Sequence, residues 1–151
     1  MPIEQDIKQP KFKNEHQRAM VNLLYTYGWS IERIKQFVTC EGITHQQYNI
    51  LRILRGSHPK PLSTLQIRER MIDKMSDTSR IVDRLIVKGL AKKTLCKEDK
   101  RLVDVNITEK GKKLVEKLDA RQQEMDNIFG NLSEKEAALL NSLLNKIREG
   151  V

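Results

Sequence analysis

The sequence predicts a mainly α fold with one small β-hairpin and a long helix at each end. Three observations predict it. Apolar residues recur at helical spacing over most of the chain. Helix-start signatures repeat at Thr44, Ser63, Thr108 and Ser133. The apolar period shortens to two only in the runs LAKKTLC and RLVDVNI, which flank a charged turn.

The first helix is expected over residues 11–39. Its stripe is Met20, Leu23, Leu24, Tyr27, Ile31, Ile34, Phe37 and Val38, with a bend at Gly28 and an end near Gly42. The second begins at ITHQQYNILRILRG. Thr44 and Gln47 have capping-box spacing, Ile43 and Tyr48 are placed for a hydrophobic staple, and Gly56 ends the helix. SHPKP follows as a loop. In LSTLQIRERM, Ser63 and Gln66 repeat the box, and Leu62, Ile67 and Met71 are expected to face inward. The fourth helix lies in DTSRIVDRLIVKGLAKK, starting near Asp73 to Ser76 and ending at Gly89. Its buried stripe is narrow: Ile81, Val82, Leu85 and Ile86. The other side carries Asp77, Ser79, Arg80, Asp83, Arg84 and Lys88.

In the hairpin, Val103, Val105 and Ile107 alternate with Asp104 and Asn106, and KEDKR forms the turn. A fifth helix is expected from Thr108 to about Phe129, with Leu114, Leu118, Met125, Ile128 and Phe129 on one side. Gly130 and Asn131 break it. Ser133 and Glu136 then cap a last helix bearing Leu139, Leu140, Leu143, Leu144 and Ile147.

The formal net charge of +8 is unevenly placed. Residues 60–101 hold 12 basic and 6 acidic residues, whereas residues 102–151 hold 8 and 9. A localised basic region is the footprint of a polyanion partner, although a solvated helix face has the same composition. No apolar run approaches the ~18 residues of a membrane span, and the N-terminus lacks a signal-peptide core, so a cytoplasmic protein is expected. Cys40 and Cys96 are read as free thiols. The scattered His16, His45 and His58 give no metal spacing, and no cofactor is expected. No phosphate loop or paired catalytic motif points to an enzyme.

Helix, helix and basic hairpin in this order describe a winged helix-turn-helix lobe, placed at residues 42–107 of a single chain. The helices at 8–40 and 108–150 cannot bury their stripes against so small a lobe. A homodimer with interleaved terminal helices would cover them; so would a monomer whose ends pair with each other.

LSTLQIRERM, SDTSRIVDRLIVKGL, DKR and LVDVNITEKG together resemble the multiple antibiotic resistance regulator (MarR) family. The resemblance rests on Arg80, Asp83, Arg84 and Leu85 before Gly89-Leu90, and on Asp99-x-Arg101 followed by Thr108-x-x-Gly111. It implies a dimeric winged-helix transcription factor, usually a repressor relieved by a small phenolic or aromatic effector or by an oxidant. This chain departs from the family pattern at Lys74, Met75, Ser76 and Asp77, where many members have Ser-x-Pro-Thr. It also has no Cys early in the first helix, where the family's peroxide sensors carry one.

The polar face of the fourth helix is thus read as the face for double-stranded DNA. Residues at the N-terminal end of a recognition helix meet base edges. Arg80 suits bidentate donation to guanine, and Ser76 and Ser79 reach bases or phosphates. Asp77 either accepts from cytosine, caps the helix or orients Arg80, and Arg84 suits phosphate. Lys97, Lys100 and Arg101 lie at the hairpin tip, with Arg101 placed for a narrow minor groove and Asp99 either bracing it or capping the turn. By resemblance, an effector pocket falls between the dimer helices and the lobe. Tyr25, Tyr27, Trp29 and Tyr48 are its candidates, with core packing as the alternative reading. A protein-binding winged helix and a non-specific DNA binder remain rival functions. The first would need an apolar patch on the recognition face.

Overall fold

A computed structural model describes residues 1–99, 101 and 103–150. A four-residue helix, α1 (Ile3–Asp6), precedes the long α2 (Glu15–Thr39). Then come α3 (His45–Ser57), β1 (Leu62–Ser63), α4 (Thr64–Arg70) and α5 (Thr78–Val87). The hairpin is β2 (Ala91–Leu95) and β3 (Val103–Ile107). It is followed by α6 (Glu109–Asp119), α7 (Gln122–Asp126) and α8 (Glu134–Arg148).

The helix starts follow local chemistry. The hydroxyls of Thr44, Ser63 and Ser133 each accept from the backbone N–H three residues on, and the Gln47, Gln66 and Glu136 side chains bond back to complete capping boxes. Ile43 and Tyr48 are both buried, as the staple requires. α5 ends in a Schellman motif. Gly89 N–H donates to Ile86 O, Leu90 N–H donates to Leu85 O, and Gly89 takes a φ of 72° that a side chain would strain.

The structure differs from the sequence expectation at several points. α2 starts at Glu15, because Asn14 accepts from Gln17 N–H and supplies the cap. It runs unbroken through Gly28. α3 continues one residue past Gly56. α5 starts at Thr78 rather than within Asp73 to Ser76, because Asp77 is its cap. The expected fifth helix is broken at Ala120–Arg121. There Arg121 N–H turns back to Leu118 O. Its guanidinium reaches the Phe37 carbonyl, Cys40 Sγ and the Glu124 carboxylate, and lies 4.8 Å above the Phe37 ring. These tertiary contacts redirect the chain so that α7 packs along α2. A third strand also appears. β1 pairs antiparallel with β3, Leu62 opposite Val105, which makes β3 the centre of a three-stranded sheet.

One core joins the lobe to the flanking helices. Phe37 and Val38 of α2 pack with Ile50, Leu51 and Leu54 of α3, Val82 and Leu85 of α5, Val105 of β3, and Val115 and Leu118 of α6. The buried cluster thus reaches past both ends of residues 42–107. In contrast, Leu23, Leu24 and Tyr27 of α2 and Leu139, Leu143 and Ile147 of α8 are exposed.

Candidate nucleic-acid interface

The helix-turn-helix consists of α4 and α5. Val82 and Leu85 anchor α5 in the core, which turns Ser79, Arg80, Asp83 and Arg84 outward. Arg80 and Arg84 lie one helical turn apart on the same exposed face. Among the described residues, no side-chain bond or ion pair engages either guanidinium. Asp77 accepts from Arg80 N–H at 3.2 Å, so its carboxylate caps the helix. Ser76 is half-buried. Its hydroxyl and that of buried Thr78 face inward with no partner among the described residues. Lys88, on the polar side in sequence, is tied down: its ammonium donates to Gly42 O and to Gln47 Oε1.

The wing stands beside this helix. Lys93 of β2 forms an ion pair with Asp83 of α5, fixing the hairpin to the reading helix. Neither residue stood out in the sequence as a pair, since their contact depends on how the hairpin leans. At the wing tip Asp99 Oδ1 accepts from both Arg101 N–H and Arg101 Nε, and Oδ2 accepts from Nη2. These bonds, first the side-chain and then the backbone ones, hold the Asp99 carboxyl below the usual carboxylate range. The Arg101 side chain remains 89% exposed. Lys97 is exposed in the same turn. Lys100 lies outside the described residues.

The motif Thr108-x-x-Gly111 also has a structural explanation. Thr108 Oγ1 donates to Gly89 O at 2.7 Å and accepts from Gly111 N–H at 3.1 Å. A Cβ on Gly111 would stand 2.3 Å from Leu90 O. Recognition helix, wing and α6 are thereby clamped at one point.

A MarR transcription factor from Planctomyces limnophilus is similar in sequence and fold. It is 32% identical, the match covers 89% of this chain and 98% of that one, and the TM-score is 0.67. The chain belongs to the MarR family. The family's sequence model matches residues 43–103, which span the lobe just described up to the start of β3. The HTH-type transcriptional regulator PrsX of Escherichia coli is 26% identical over 117 residues, 77% of this chain and 70% of PrsX. A mutant MarR from E. coli, solved with operator DNA, matches at a TM-score of 0.81 and 21% identity over 91% of this chain and 99% of that one. At that identity the likeness establishes the fold. BpsR of Bordetella bronchiseptica, whose DNA binding is regulated by 6-hydroxynicotinic acid, matches at 0.75 and 22% over 85% and 91%. As a MarR-family member the chain is a DNA-binding transcriptional regulator, and such regulators are not enzymes.

The four aromatic candidates for a MarR-type effector pocket do not converge. Tyr48 is buried in the core, 6.2 Å from the Phe37 ring. Tyr25 and Tyr27 are exposed along α2, and Trp29 meets Phe129 edge to face at 6.5 Å. An open groove of about 360 Å³ instead lies between α2 and α7, lined by Arg33, Gln36, Phe37, Arg121, Glu124, Asn127 and Ile128. Cys40, read in the sequence only as a free thiol, has Arg121 Nη1 at 2.8 Å from its sulfur. Sequence separation of 81 residues hid that contact. Among the described residues, no group of His, Cys, Asp and Glu is arranged to hold a metal ion, and no helix is long and apolar enough to cross a membrane.

Proposed function

We propose that the chain acts as a homodimeric repressor on a near-palindromic operator and is released by a small aromatic acid. The observation that carries the DNA-reading part is the face of α5, where Arg80 and Arg84 point outward with no partner among the described residues. Arg80 donates to a base edge and Arg84 to a phosphate. Ser79 supports them from the same turn. Arg101, preceded in sequence by Lys97 and Lys100, enters the flanking minor groove.

The dimer reading rests on the exposed stripes of α2 and α8. Leu23, Leu24, Tyr27, Leu139, Leu143 and Ile147 form apolar rows that a second copy would bury. Two recognition helices related by a two-fold axis then meet successive major grooves, with half-site centres roughly 10 base pairs apart. The effector reading rests on the α2–α7 groove, where Arg121 is already paired with Glu124 and Arg33, beside aromatic surface, is the guanidinium left to meet a planar carboxylate. Of the aromatic candidates, Trp29 is the one tied to this groove, because Arg33 stacks over its ring at 3.6 Å.

Footprinting on the intergenic DNA upstream of the protein's own gene, paired with sedimentation at micromolar concentration, tests the reading. A protected symmetric site and a dimer are expected. A monomer that protects a single asymmetric half-site would overturn the dimeric mechanism.

A further inference from the structure

The turn between α4 and α5 holds two large apolar side chains in open solvent. Ile72 is 86% exposed and Met75 is 93% exposed. The turn itself is pinned. Ile72 N–H donates to Asn49 Oδ1 at 3.0 Å, and Met75 N–H to Asp73 Oδ1 at 3.0 Å. Ser76 N–H closes onto Asp73 O. The backbone is therefore tied to the lobe while the Met75 side chain stands free, two residues before the N-cap Asp77.

That position lies in the turn just before the N-terminal end of a recognition helix, the end that faces base edges. An apolar side chain there gains nothing from phosphates, and in water it leaves its surface unburied. The apolar group that B-DNA displays in the major groove is the thymine C5-methyl. Methionine suits it, being unbranched, polarizable and adaptable in shape. A partner protein is the poorer occupant. Standard interfaces bury about 800 Å² on each side, whereas this patch is two side chains on either side of Lys74 in one short turn.

We propose that Met75 is a specificity-determining residue that packs on a thymine methyl within each half-site. The inference rests on α5 being the DNA-reading helix and adds to it both a residue and a base identity.

The test begins with a consensus selected from random duplexes by the full-length protein. Each thymine is then replaced singly by deoxyuridine, which removes only the C5-methyl. Binding is measured for the wild type, Met75→Ala and Met75→Leu, with thermal melts to verify folding. At one thymine per half-site, demethylation should weaken the wild type by roughly three- to tenfold. The same replacement should leave Met75→Ala unchanged, and Met75→Leu should keep most of the effect. Equal losses for wild type and Met75→Ala at every thymine would overturn the proposal. So would a wild type indifferent to every methyl. If a consensus emerges and Arg80→Ala loses base discrimination while no thymine couples to Met75, the Met75 assignment alone fails. If no consensus emerges, the reading of α5 fails with it.

Discussion

Asp99 grips the Arg101 guanidinium with both carboxylate oxygens, at 3.0 and 3.1 Å, at the tip of the wing. The pair sets the direction of the one described wing arginine while leaving it open to solvent. Asp99→Asn should leave the melting temperature unchanged, because the pair is exposed. It should raise affinity for random DNA, since a repelling charge is gone, and reduce the preference for A·T-rich flanks, since Arg101 is no longer preset. The pH dependence has a definite sign. A carboxyl held below its ordinary value stays ionised above that value and loses its charge only as pH falls through the lowered one. Titration from pH 8 to 5.5 should therefore not reproduce the Asn variant.

Arg80 and Arg101 should fail differently. Arg80→Ala should cost about 1–3 kcal/mol per half-site and relax preference at one base position. Arg101→Ala should weaken binding most on sites with A·T-rich flanks and lower the salt slope. Titrations on site variants at several salt concentrations separate the two. A uniform loss for Arg80→Ala on all sequences would make it a phosphate contact.

The ion pair between Lys93 and Asp83 couples wing to helix. Both groups are substantially exposed, so their coupling energy should stay below about 1 kcal/mol in a double-mutant cycle of unfolding. Lys93→Met should nevertheless reduce operator affinity more than it reduces stability, because the wing loses its fixed angle to α5. Equal melting temperatures with equal operator affinity would show that the pair does not position the wing.

Gly111→Ala should destabilise the fold by about 2–3 kcal/mol, read from urea midpoints. The new Cβ would meet the Leu90 carbonyl, which is backbone and already accepts from Thr108 N–H. A neutral result would mean that α6 shifts freely against β2.

Leu23→Glu combined with Leu143→Glu places charge on both exposed stripes. The variant should sediment as a monomer with a native-like circular dichroism spectrum and lose cooperative operator binding. Retained dimers would place the interface elsewhere.

Much of this was legible in the sequence because it depends on local chemistry. The capping boxes at Thr44, Ser63 and Ser133, the C′ glycine at Gly89, the alternation along β3 and the outward side of α5 all follow from contacts within a few residues. So does the Asp99–Arg101 brace, two residues apart. Contacts between distant segments were decided only by the tertiary structure. The helix break at Arg121 required Phe37 and Cys40 to arrive from α2. The strand at Leu62–Ser63 exists only because β3 offers it an edge. The Lys93–Asp83 pair, the inward turn of the Ser76 hydroxyl and the scattering of Tyr25, Tyr27, Trp29 and Tyr48 likewise depend on how finished elements lie against one another. Helical period and cap chemistry specify where an element starts and which side is apolar. They carry no term for which distant group an exposed arginine or an aromatic ring will meet.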